Sequence, residues 1–162
     1  SPLNLQPEDV DSCDVAHALS NQCRFSGHTS EFYSVGQHSV LVSRLLDGTG
    51  HERWGLLHDA VEAYLIDLPR PLKEHPAFGQ TFRGAEQRAQ RVIAEVFALP
   101  WPEPSEVKTA DLRLLATERR DLMPPGVRWS GLDGIEPLPA RIAPWSPRRS
   151  RREFLLRYEQ VT

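Results

Sequence analysis

The residues of this 162-residue chain best suited to chemistry are His58 and Asp59, within Leu56-Leu57-His58-Asp59-Ala60-Val61-Glu62-Ala63-Tyr64-Leu65. An imidazole beside a carboxylate can ligate a metal or move a proton. Alone the pair means little, because a buried His is more often a hydrogen-bonded core residue than a ligand. Its neighbours on the chain are apolar, however, and placing His, Asp and Glu among them is unfavourable unless they are paired or metal-bound. Helical winding puts His58 and Glu62, four apart, on one face. Two more polar residues lie in otherwise apolar helical runs: His38 in Val35-Gly36-Gln37-His38-Ser39-Val40, and Asp111 in Val107-Lys108-Thr109-Ala110-Asp111-Leu112. Two imidazoles and two carboxylates suit a divalent transition ion such as Mn, Co, Fe, Ni or Zn. On an octahedral ion, four protein ligands leave positions for water and a phosphate oxygen. The alternative is a buried ion-pair cluster without an ion.

The elements that must position these residues are helical almost throughout. Periodicity predicts helices over 9–20, from Ser34 to a stop at Gly48, 51–66, 79–99, 105–122 and 151–161. Ser34 is the expected cap of the second. The third closes at Asp67-Leu68-Pro69-Arg70-Pro71, since Pro disfavours helix at the preceding residue. The fourth is bounded by Pro76 and Pro100, and Pro124-Pro125-Gly126 stops the fifth. The Pro-, Gly- and Trp-rich stretch 124–147 is long for a loop and reads as an ordered covering segment. No strand-like alternation persists and no repeat is present. The expectation is one all-α domain over 1–162, a bundle of about six helices.

Composition narrows the partners. Formal net charge is -3, so no global field draws the chain to nucleic acid or to a membrane. No apolar run is long enough to span a bilayer, and the first residues carry no charged-then-apolar leader. Cys13 and Cys23 make no disulfide framework and read as reduced residues of a cytoplasmic protein. Arg148, Arg149, Arg151 and Arg152 form a short basic run, most simply a solvated helix start; an oligomer contact is equally open.

Four local features together resemble the HD-domain phosphohydrolases, in the order His … His-Asp … Asp: Gln37-His38-Ser39, His58-Asp59-Ala60-Val61-Glu62, Asp67-Leu68-Pro69-Arg70-Pro71-Leu72-Lys73, and Val107-Lys108-Thr109-Ala110-Asp111. They cover roughly the first two thirds of the chain. The match is closer to the bacterial 5′-deoxynucleotidases and the small phage HD hydrolases. Arg24-Phe25-Ser26-Gly27-His28-Thr29 with Tyr33-Ser34-Val35-Gly36-Gln37-His38-Ser39 looks especially like the phage proteins.

The resemblance implies metal ligands His38, His58, Asp59 and Asp111, with Mn, Co, Zn, Fe or Ni as the ion. It implies that Glu62 and Asp67 are the acidic pair near the reacting water and leaving oxygen, Asp67 for proton transfer and Glu62 for orientation. Arg24, Lys73 and Lys108 are the candidates for neutralising phosphate; Arg70 reads as surface. Phe25 departs from the bacterial branch, which tends to carry Trp there beside sugar and base. His28 is open between a phosphate or base donor and a turn residue. The activity implied is hydrolysis of a 2′-deoxynucleotide at the α-phosphorus. The first version is a dATP triphosphohydrolase releasing deoxyadenosine and triphosphate, as in phages that replace adenine with 2-aminoadenine. The alternative is a 5′-deoxynucleotidase acting on monophosphates. The resemblance also implies a homo-oligomer, from a dimer up to a hexamer, in a cytoplasm, the host's if phage-encoded.

Other classes fit less well. Alarmone hydrolases share the HD core but place an acidic residue after the motif Glu, where this chain has Ala63. Cyclic-dinucleotide phosphodiesterases carry further ligands not found here. A non-catalytic HD module would be expected to lack ligands, and none is missing. No nucleic-acid-binding motif is recognised.

Overall fold

A computed structural model describes residues 1–126, 129 and 131–162, with backbone alone at 70, 71 and 78. The helices are α1 (Ser12–Asn21), α2 (Val35–Leu45), α3 (Glu52–Leu57), α4 (Glu62–Leu65), α5 (Arg70–Lys73), α6 (Pro76–Val96), α7 (Ser105–Leu122) and α8 (Pro147–Val161). Six of these exceed one turn, and no strand occurs among the described residues. The architecture is therefore the expected all-α bundle.

Capping chemistry sets the starts. Asp11 accepts from the N–H groups of Cys13 and Asp14 to open α1, Ser34 accepts from Gln37 N to open α2, and Ser146 accepts from Arg149 N to open α8. Two helices begin earlier than their apolar periodicity indicates, because Pro76 and Pro147 occupy the first helical position, where a missing N–H is harmless. Arg148, Arg149, Arg151 and Arg152 are exposed there, as a solvated helix start requires.

The central helix is α2, packed against α1, α3, α7 and α8. Its first turn lies very close to its neighbours: a Cβ on Gly36 would come within 2.8 Å of Ser20 Oγ and 2.9 Å of Ser150 Oγ. Val15, Leu19, Val40, Leu56, Leu57, Leu114 and Phe154 fill the core around it. Burial of such a set is the main source of stability.

The stretch 124–147 is a covering segment where described: Leu132 and Trp145 are buried, and Leu138 and Ile142 pack on the core. Val127, Arg128 and Ser130 lie outside the described residues. The Gln37 amide clamps this segment from α2, accepting from Trp145 N at 2.7 Å and donating to Ala143 O at 2.9 Å. On α7, Thr117 Oγ1 accepts from Leu138 N and Asp121 accepts from Ile142 N, both at 2.9 Å.

The expected helix over 51–66 is broken. Between α3 and α4 the backbone tightens to i→i+3 bonds, Ala60 N to Leu57 O and Glu62 N to Asp59 O. The cause is local: His58 Nδ1 takes Gly55 O at 2.8 Å, and Gln90 Nε2 takes His58 O at 3.0 Å. Side chains thus occupy carbonyls that an α-helical ladder would use.

Candidate metal centre

His38 comes from the first turns of α2, His58 and Asp59 from the tightened turn after α3, and Asp111 from the second turn of α7. The bundle brings their polar atoms together. Ligand atoms of His38, His58 and Asp59 all lie within 4.8 Å of one another. His38 Nε2 is 3.3 Å from His58 Nε2, 3.6 Å from Asp59 Oδ2 and 3.3 Å from Asp111 Oδ1. His58 Nε2 is 3.3 Å from Asp59 Oδ2.

Both imidazoles are held from behind. His38 Nδ1 meets Glu118 Oε1 at 2.6 Å, and His58 Nδ1 meets Gly55 O at 2.8 Å. Neither acceptor can donate, so each Nδ1 carries a proton, and Nε2 is the nitrogen through which each ring can meet an ion. The two Nε2 atoms face each other at 3.3 Å with two carboxylates alongside, an arrangement that calls for positive charge among them, supplied by a bound ion or, without one, by a second proton on His38. The donor set of two N and two O atoms fits a divalent transition ion. The same field acts on His38. Burial and the Arg24 guanidinium push its pKa down, but Glu118 and Asp111 prevail and hold it up at about 9.

Arg24 completes this side. An antiparallel bridge, Cys23 to Ser34, pins the loop 25–32 beside α2. Phe25 and Ser26 follow in the left-handed region, at φ 52° each, which turns the chain sharply after Arg24. The buried guanidinium donates to Asp59 Oδ2 at 3.4 Å and Glu118 Oε2 at 3.3 Å, while its Nε has no partner. Phe25 packs under that guanidinium and against Trp129, with ring centroids 5.1 Å apart. His28 is an exposed turn residue whose N–H donates to Phe25 O.

The acidic pair flanks the cluster. Burial raises the Glu62 pKa well above the usual carboxylate range, and the charges of Asp59 and Asp67 add to the effect. Asp67 is raised by burial and by Asp59. Glu62 Oε1 lies 3.8 Å from Lys73 Nζ, and Oε2 has no partner. Asp67 follows Ile66, which α4 leaves at φ 72°. With its amide oxygen turned toward the Asp67 N–H, Gln22 accepts there at 2.5 Å and donates to Glu62 O at 3.2 Å. Two of the expected phosphate-binding cations already hold carboxylates: Lys73 donates to Glu86 at 2.7 Å, and Lys108, largely exposed, donates to Asp111 Oδ2 at 2.6 Å. The side chain of Arg70 lies outside what is described.

Sequence reasoning missed Glu118 and Gln22. Glu118 is fully buried and falls two turns after Asp111 on α7. The signal was a charged residue at that spacing on the face that carries Asp111. Gln22 gave no signal, because its contacts run to backbone atoms. A concavity of about 590 Å³ lined by Arg53, Trp54, Pro100 and Arg157 shares no residue with the cluster. Donor geometry, rather than volume, identifies the site.

The fold and this site define a class: an all-α protein with a partly buried His38–His58–Asp59 group that could hold a metal ion. The chain belongs to the family of YfdR, a protein of Escherichia coli (strain K12) named as uncharacterized, with 39% identity over 160 residues covering 98% of this chain and 88% of YfdR. It is also similar to RCAP_rcc00048 of Rhodobacter capsulatus, likewise named as uncharacterized, at 36% identity over 117 residues, 67% of this chain and 58% of that protein's length. No family model matches the chain. Among the described residues, no helix is long and apolar enough to cross a membrane.

Proposed function

We propose that this protein is a metal-dependent phosphohydrolase of the HD-domain type acting on 2′-deoxynucleotides, with dATP hydrolysis to deoxyadenosine and triphosphate as the leading activity. The observation that carries the proposal is the pair of His38 and His58 Nε2 atoms, 3.3 Å apart and turned toward Asp59 and Asp111, with both Nδ1 atoms already bonded. His38, His58, Asp59 and Asp111 would hold the ion. When bound, a divalent ion supplies Lewis-acid polarisation of a phosphoryl oxygen and neutralises charge.

The chain's own residues supply the rest. Arg24 offers an unpartnered Nε–H and a fixed guanidinium to the phosphate. Glu62 presents an unpartnered buried oxygen that can accept a proton or orient a water. Asp67, with its pKa raised, can pass a proton to the leaving oxygen. Phe25 and Trp129 offer aromatic surface beside Arg24 for sugar or base.

A monophosphate substrate is favoured by one observation. Lys73 and Lys108 already hold Glu86 and Asp111, which leaves less positive charge for the β- and γ-phosphates. We further propose a homo-oligomer of at least two chains in a cytoplasm, which size-exclusion light scattering of the purified protein would test for the oligomer.

The deciding experiment incubates the Co²⁺- or Mn²⁺-loaded protein with each deoxynucleoside mono- and triphosphate and its ribose counterpart, and separates products by chromatography. Deoxyadenosine with intact triphosphate from dATP supports the leading activity. Phosphate released from deoxymonophosphates alone makes the protein a 5′-deoxynucleotidase. No turnover with any of the five candidate metals refutes the proposal.

A further inference from the structure

Glu118 is fully buried, and its two oxygens do different work. Oε1 accepts from His38 Nδ1 at 2.6 Å, and Oε2 accepts from Arg24 Nη2 at 3.3 Å. Arg24 Nη1 in turn reaches Asp59 Oδ2 at 3.4 Å. A closed circuit results: His38, Glu118, Arg24 and Asp59, the last 3.6 Å from His38 Nε2. It joins the candidate donor atoms to a guanidinium with an unpartnered N–H. No backbone or hydroxyl group can replace Glu118 in this role, because only a carboxylate accepts on both oxygens and matches the charge of a buried Arg.

We infer that Glu118 is a positioning residue for both halves of the site, fixing through His38 which ring nitrogen meets the ion and through Arg24 where the guanidinium meets the phosphate. This rests on the metal-site reading above. The circuit has a directional consequence. A cation on the Asp59 oxygens draws that carboxylate's charge away from Arg24, while Glu118 keeps hold of Nη2. The guanidinium is then released toward an incoming anion on one side and anchored on the other. Metal and phosphate therefore bind with positive coupling, carried by Asp59 and Arg24 while Glu118 anchors the guanidinium.

Co²⁺ titration followed by visible absorption, then inorganic phosphate titration of the Co²⁺-loaded protein, tests the inference in the wild type, Glu118→Gln, Arg24→Met and the double variant. A glutamine keeps the shape of Glu118 but has only one accepting oxygen, so it satisfies His38 or Arg24 and not both. Glu118→Gln is expected to weaken Co²⁺ binding about 10- to 100-fold, the usual effect of removing the partner behind a ligating His. Arg24→Met should leave Co²⁺ affinity within about threefold and weaken phosphate about 10-fold or more, the loss of a charge-assisted hydrogen bond. On phosphate, the double variant should lose little beyond Arg24→Met, since both changes break one interaction.

Wild-type Co²⁺ affinity in folded Glu118→Gln overturns the inference alone, as does additivity on phosphate. Absence of Co²⁺ binding in the wild type overturns the metal reading with it. If Glu118→Gln does not fold, ¹⁵N-histidine NMR of the Zn²⁺-loaded wild type decides: protonated Nδ1 with metal on Nε2 of His38 is expected, and metal on Nδ1 overturns the role of Glu118.

Discussion

His38 and Glu62 are both buried and ionisable and both belong to one site, yet they are held very differently. His38 stands on an eleven-residue helix, fully inaccessible, with a partner at each ring nitrogen. Glu62 opens a four-residue helix after a tightened turn, with one oxygen 3.8 Å from Lys73 and the other without a partner. Their neighbours differ as well. The α2–α7 side is cross-braced by Glu118, Arg24 and the Gln37 clamp. The 58–73 side depends on Gln22, Gln90 and a lysine shared with Glu86. Metal ligands bind best when preorganised, because any rearrangement on binding subtracts from the affinity for the ion. Groups that meet substrate need unsatisfied atoms, because substrate must complete them. The contrast is between single residues and not between whole sides, since His58 and Asp59 share the short-turn side with Glu62, while His38 and Asp111 stand on long helices.

The largest effect should come from breaking the donor set. His58→Ala or Asp59→Ala should bind no stoichiometric Co²⁺ by metal analysis and should bring turnover to background, with the helical circular dichroism signal kept. Either variant retaining both ion and rate would remove that residue from the site. Glu62→Gln should behave otherwise, keeping the ion and losing about 10²- to 10⁴-fold in kcat, the range for a group that moves or orients a proton. Loss of the ion in that variant would erase the contrast between His38 and Glu62.

These two outcomes depend on features of unequal legibility. His58, Asp59, His38 and Asp111 stand out because each is polar within an apolar helical run, and the bundle brings the first three into one group with Asp111 beside His38. The helix starts at Ser34 and Ser105 were legible from local chemistry, as were the ends near Gly48 and Pro124. The break between α3 and α4 was not, since the groups that cause it are the His58 ring and Gln90, which is 32 positions away. Glu118 escaped for a related reason: its meaning lies in two partners, 80 and 94 positions distant. The engagement of Lys73 by Glu86 likewise required the packing of α5 on α6.

Smaller effects test the bracing itself. Gln37→Ala strips partners from the buried Trp145 N and from Ala143 O, and should destabilise the chain by about 1–3 kcal/mol in a urea titration, the range for one buried group left unsatisfied. An unchanged midpoint would mean that the covering segment does not brace α2. The least effect is expected at Asp121. The Arg120 guanidinium holds its carboxyl below the usual range against the cost of desolvation, with help from Ile142 N–H and Arg141. A lowered folded pKa gives stability that is present above the ordinary Asp value of about 4 and lost as pH falls through the folded value. Asp121→Asn should therefore lower Tm at pH 7, and the gap from wild type should narrow as pH drops toward 3. A gap that is equal at both pH values would contradict the linkage.

The most direct test of the central claim strips the wild-type protein with a chelator, restores one equivalent of Co²⁺ or Mn²⁺, and follows dATP and dAMP by chromatography beside His58→Ala. Hydrolysis that disappears with the chelator, returns with about one ion per chain and never appears in His58→Ala is the predicted result. Deoxynucleotide hydrolysis that persists without the ion, or that His58→Ala retains, would contradict it.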